Sequence, residues 1–293
     1  MKPIIIQTPV AEAHIYTHGA HVVHFQPRGH KPVLFLSAQA RFEAGKAIRG
    51  GVPICFPWFG PKDGNATAPA HGMARISEWK VDRVETQKDG TVMMGFAYEN
   101  ARFQVTVGET LTMELEVRND GQEPYRFEEA LHTYLAVGDV REVSVEGLAC
   151  AEYLDQVEGF KRKREGATPI RITAETDRTY LNTRSTCIVS DPVWNRRLIV
   201  EKTGSDSTVV WNPWIERSKA FKDLGDEEWP GFLCVETCNV KENAVMLAPG
   251  QTHILSAVIA SARLLLGFPN GLADFFETKK VHYGHNDQAE KNQ

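Results

Sequence analysis

In the run LTMELEVRNDG, Leu111, Met113, Leu115 and Val117 alternate with Thr112, Glu114 and Glu116. An extended strand puts those two sets on opposite faces, and a helix does not. Asn119, Asp120 and Gly121 then supply a turn. Runs of the same kind recur along the chain: HIYTHGAHVVHFQP, TVMMGFAY, FQVTVGE, REVSVEGL, STCIVSD, RLIVEKTG, STVVWNP and THILSAVIA. Helical periodicity is scarce; GLADFFETKK, with Leu272, Phe275 and Phe276, is its best example and it is short. Many brief strands broken by Gly, Pro, Asn and Asp predict an all-β fold, a large antiparallel β-sandwich with few short helices. No linker, repeat or low-complexity stretch divides the chain. A single domain over residues 1–284 is expected, with a frayed tail, HNDQAEKNQ, over residues 285–293.

The 293 residues suffice for a sizeable core, and 42% apolar with 24% charged residues is ordinary for a globular protein. A net charge of -5 gives no reason to expect nucleic acid or an anionic membrane surface as a partner. The one dense basic run, KRKR at residues 161–164, is followed by Glu165 and Gly166 and reads as a solvated loop. The five cysteines follow no metal-ligand spacing. Cys234 and Cys238 would share a strand face about 13 Å apart, too far for a disulfide. Reduced thiols and a cytoplasmic setting are therefore the default. The N-terminal MKPIIIQTPVAEAH has too short an apolar run for a signal peptide, and no segment is long enough for a membrane span.

The stretch AIRGGVPICFPWFG joins Arg49 to two glycines, which allow close approach of backbone or ligand. It is either a tight turn with a solvated Arg or a phosphate or carboxylate site. His18, His21 and His24 are spaced by three, which on a strand sets neighbours on opposite faces, so no metal is expected there. His71 in PAHGMAR and His132 in EEALHTYLAVGD lie beside charged and turn-forming residues, and each is either structural or a proton carrier. Glu236 in GFLCVETCNV is flanked on its own face by Cys234 and Cys238, so it needs a partner or a raised pKa. Asp177 in ETDRTYLN is explained equally by a turn or by pairing with Arg178. Trp211 and Trp214 bracket Asn212 and Pro213, an aromatic corner that suits core packing or the apolar face of a sugar ring. No dinucleotide fingerprint, P-loop or zinc motif is present.

Taken in order, IRGGVPICFPWFG, AHGMAR, LHTYLAVGD, TDRTYLN, VVWNPWIERSKAFKDLGD and CVETCNV resemble the glucose-6-phosphate 1-epimerases over roughly residues 15–260. These are the hexose-6-phosphate mutarotases of the aldose 1-epimerase superfamily. The resemblance implies the large twisted, galactose-mutarotase-like β-sandwich. It implies His132 as the catalytic histidine and Glu236 as the catalytic carboxylate. Asp177 would hold sugar hydroxyls, Arg49 and Arg75 would face a sugar phosphate as an anion clamp, and His71 would lie nearby. Where some members carry Gln before the His-Gly pair, this chain has Ala70. Exchange of anomers needs one base and one acid, expected on opposite sides of C1, and no metal or organic cofactor. An epimerase of unphosphorylated sugars and a non-catalytic carbohydrate-binding sandwich are the rival readings.

Overall fold

The computed structural model describes residues 1–264; the helical pattern at 271–280 and the expected tail at 285–293 lie outside the described residues. Two large antiparallel sheets dominate, and both send side chains into one hydrophobic core. The nine-stranded sheet runs in the order 170–171, 144–146, 187–191, 196–203, 252–263, 111–118, 101–107, 92–98, 80–86. Its strand Leu111–Arg118 follows the period-two reading: Leu111, Met113, Leu115 and Val117 are buried, and Thr112, Glu114 and Glu116 are half-exposed.

The eight-stranded sheet runs 161–164, 152–155, 176–181, 207–212, 232–239, 129–131, 54–55, with 134–136 also paired to 232–239. Its central strand Phe232–Asn239 is buried at all eight positions. Leu233 and Val235 enter the core shared with the nine-stranded sheet, whereas Cys234 and Cys238 join a separate apolar cluster with Tyr134, Val209 and Trp211. Both faces of this sheet are therefore covered, one by the other sheet and one by loops. A three-stranded sheet, Ile4–Gln7, Ala11–Tyr16 and His21–Pro27, completes the N-terminal part. Trp214–Ser218 is the one α-helix among the described residues. No helix among them is long and apolar enough to cross a membrane.

The basic run does not form the loop expected of it. Lys161–Arg164 is the edge strand of the eight-stranded sheet, paired with Glu152–Asp155. Charge at every position hides the alternation, and such charge suits an edge because it keeps the free backbone groups wet. Arg162 pairs with Glu152 and Glu242, Lys163 with Asp155 and Glu158, and Arg164 with Glu152.

Candidate active site

The register of the central strands assembles the site. Glu129 pairs with Asn239, Leu131 with Thr237 and Tyr134 with Cys234, and the same register carried through 132 and 133 sets His132 opposite Glu236. On the other side, Glu236 pairs with Val209 and Cys234 with Trp211, and Trp211 in turn pairs with Asp177. Directly opposed residues share a face, as do residues two apart. His132, Tyr134, Glu236, Val209, Trp211 and Asp177 thus point from the sheet face away from the main core. Five of them, all but Tyr134, floor a cavity of about 710 Å³. Its walls come from loops and short helical turns that carry Arg49, Phe59, Ala70, His71, Arg75, Gln156, Val157, Phe160, Arg217 and Phe221. A volume of this order suits a small polar metabolite. A second depression of about 480 Å³, beside Thr8, Glu12 and Arg28 on the N-terminal sheet, gathers no buried ionisable side chain.

His132 Nε2 lies 3.3 Å from Glu236 Oε1, with both side chains nearly inaccessible. The two groups do not stand across a gap, as opposite sides of C1 would require; they touch on one face because adjacent strands carry them in register. Burial pushes the Glu236 carboxyl well above its ordinary range, the Asp177 charge adds to the rise, and Arg75 opposes it. Burial likewise pushes the His132 imidazole well below its ordinary value, helped by the charges of Arg75 and Arg49. Both shifts favour the uncharged forms, a carboxyl and an imidazole in contact. Asp177 is pushed up to about 7 by burial and by the charge of Glu175, against the pull of Arg217. Its Oδ1 accepts a hydrogen bond from Gln156 Nε2.

The left-handed backbone at His71 (φ 63°) turns the ring into the cavity, edge-on to Phe59 and to His132. Gly60 N–H donates to its Nδ1 at 3.3 Å, which leaves the ring hydrogen on Nε2 as a donor. Burial and the Arg75 charge keep this ring neutral. Arg75 lies in the short 3-10 turn Ala74–Ile76; Nη2 donates to Ala70 O at 2.9 Å, and Nε is buried with no hydrogen bond among the described residues. Gly72 (φ 80°) lets this turn pass so close that a β-carbon there would meet Phe56 O at 1.9 Å.

Two sequence expectations change. Arg49 reaches the cavity, yet its Nε and Nη2 both donate to Asp223 Oδ1, at 3.2 and 3.1 Å, and its Nη1 donates to Tyr134 Oη at 3.0 Å. Its charge is already answered by a carboxylate, whereas Arg75 has no ion pair among the described residues. The glycines beside it serve the backbone: β-carbons at Gly50 and Gly51 would meet Phe35 O at 2.5 Å and Val22 O at 2.3 Å. Trp214 does not join Trp211 on the lining. It opens the helix, its N–H is held by Asn212 Oδ1, and its ring packs on Trp229 with centroids 4.5 Å apart. Sequence reasoning missed Arg217, Gln156, Phe160, Phe221, Tyr134 and Asp223. Only Tyr134, two residues beyond His132, carried a local signal.

The family described as aldose 1-epimerase matches residues 3–259. A protein of Cenchrus ciliaris named "Putative glucose-6-phosphate 1-epimerase" is 33% identical over 262 residues, 82% of this chain and 78% of that one. Its namesake from Escherichia coli K12 is 31% identical over 272 residues, 89% of this chain and 90% of its own. Among solved structures, YeaD from Salmonella typhimurium superposes with a TM-score of 0.82 at 30% identity, covering 89% of this chain and 90% of that one.

Proposed function

The chain belongs to the aldose 1-epimerase family, and on that premise we propose that it interconverts the α and β anomers of hexose 6-phosphates, glucose 6-phosphate foremost. The observation that carries the reading is the His132–Glu236 pair, in contact at 3.3 Å on the cavity floor. Anomer exchange opens the ring at C1. The C1 hydroxyl loses its proton as the ring oxygen gains one, the resulting aldehyde rotates about C1–C2, and reclosure reverses both transfers. Glu236 as carboxylate takes the hydroxyl proton, and His132 as imidazolium protonates the ring oxygen. Both oxygens are bonded to the same carbon, so an acid and a base side by side on one face can reach them together. A neutral carboxyl–imidazole pair holds the same number of protons as the carboxylate–imidazolium form, and one shift across the contact interconverts the two. Each positioned group contributes typically about 10²- to 10⁴-fold, and the chemistry calls for no cofactor.

Phosphate preference draws support from the names of the relatives near 30% identity and from the cationic wall. Arg75 and Arg217 line the cavity without an ion pair among the described residues. Asp177 and His71 are assigned to sugar hydroxyls, and Trp211 to the apolar face of the ring. A purely binding sandwich would have no use for a buried acid–base pair whose carboxyl and imidazole are both displaced from their ordinary values.

The deciding experiment is mutarotation of α-glucose 6-phosphate against α-glucose, followed by polarimetry. Charge-assisted hydrogen bonds to phosphate are worth about 1.5–3 kcal/mol each, so kcat/KM should favour the phosphorylated sugar by roughly 10- to 150-fold per contact. Equal kcat/KM would favour the free-aldose epimerase, and no acceleration of either sugar would favour the binding module.

A further inference from the structure

A proton-carrying histidine is ordinarily oriented by a hydrogen bond from its other ring nitrogen. No other residue tethers His132 in this way. Beyond its own backbone, its buried Nδ1 meets no hydrogen-bond partner among the described residues, and its Nε2 faces Glu236. The plane of the ring is therefore set largely by packing. One neighbour lies parallel to it: Tyr134, with centroids 4.9 Å apart and planes within 10°. His71 and Trp211 meet it only edge-on, at 5.8 and 5.9 Å.

Tyr134 is itself held at both ends. Its ring is 2% exposed and packs on Phe232, and its hydroxyl accepts Arg49 Nη1 at 3.0 Å. Arg49 is pinned by two N–H bonds to Asp223 Oδ1 and by the Phe221 ring, 4.5 Å beneath the guanidinium. Three of the five guanidinium hydrogens are thus spent on the protein. We propose that Tyr134 is the positioning residue that fixes the plane of the His132 ring, and that Arg49 and Asp223 act by holding Tyr134. The proposal rests on His132 carrying a proton in the proposed reaction. It gives Asp223, which lies outside the cavity lining, a part in turnover.

Three variants grade the effect. Tyr134→Phe keeps the stacked ring and loses the hydroxyl, Tyr134→Leu loses the stack, and Asp223→Asn loosens Arg49. A displacement of about 1 Å in a reacting group can cost up to 10²-fold. The expected losses in kcat are roughly 10- to 100-fold for Tyr134→Leu and a few-fold for Tyr134→Phe and Asp223→Asn. KM should change little, and the losses should be equal for phosphorylated and free hexose. The acid limb of the pH–kcat profile should shift in Tyr134→Leu and be restored by Phe, which a general weakening of the fold would not produce. If Tyr134→Leu fails to fold, the other two variants decide. Unchanged kcat in the folded variants overturns the inference, as does a loss confined to the KM of the phosphorylated sugar. If His132→Ala turns over normally, the proposed function falls with it; if His132→Ala is inactive and these variants are normal, the inference alone fails.

Discussion

Replacing Asp177 by Asn removes a carboxyl that folding places in an unfavourable setting, so the variant should be more stable than its parent above neutral pH. Burial first, and the Glu175 charge second, raise this carboxyl from an ordinary 3.8 to about 7. Below about pH 4 the folded and unfolded chains both hold the proton, and the residue contributes no pH dependence. Between about pH 4 and 7 the unfolded chain releases it and the folded chain keeps it, so stability falls as pH rises; above that window the loss is complete. At 1.36 kcal/mol per pH unit, a rise of about three units corresponds to roughly 4 kcal/mol. The side chain is partly exposed, and water reduces the figure to about 2–4 kcal/mol. Asn keeps an Oδ1 to accept from Gln156 Nε2, so the contact seen in the parent survives. The assay is urea unfolding of both proteins at pH 4 and pH 8. Equal midpoints are expected at pH 4 and a higher midpoint for Asn at pH 8, with unchanged m. His71 and His132 are held neutral and act with the opposite sign, weakening the fold as pH falls through their ordinary value. Both proteins contain them, so they cancel in the comparison. A variant no more stable than its parent at pH 8, or displaced equally at both pH values, would refute the reasoning.

His132→Ala and Glu236→Gln should each remove most mutarotase activity with the fold retained by circular dichroism, and the double variant should lose little more than either single one, because the pair acts as one proton-transfer unit. Near-normal turnover in either variant would defeat the assignment. Trp211→Leu should raise KM for the sugar, whereas Trp214→Leu should leave KM alone and lower the melting temperature through its lost packing on Trp229; the reverse pattern in steady-state kinetics and calorimetry would mean that the aromatic corner is misread. Dialysis against a strong chelator should leave the rate unchanged, since the Nε2 atoms of His18 and His21 already bond Lys46 O and Gly50 O; loss reversed by one specific ion would contradict this.

Period-two alternation made the fold legible, because a strand with one face in the core writes that face into its sequence, as Leu111 to Val117 do. The signal fails where that condition fails. Lys161–Arg164 is charged on both faces and showed no period, and only its place at the sheet edge makes it a strand. Phe232–Asn239 is buried on both faces, so LCVETC could announce a buried carboxylate without saying which face was core and which was cavity. That answer depends on register with segments far away in the chain. The roles of charges are non-local in the same way. Arg49 beside two glycines looks like a free cation until Asp223, 174 residues later, closes on it. Arg75, with the weaker local signature, is left facing the cavity without a carboxylate partner among the described residues. Residue type thus nominates groups for chemistry, and long-range pairing decides which of them remain available for it. By that argument the proposed anion-binding charge falls to Arg75 and Arg217, which line the cavity without a carboxylate partner among the described residues, while Arg49 is held by Asp223 and Tyr134.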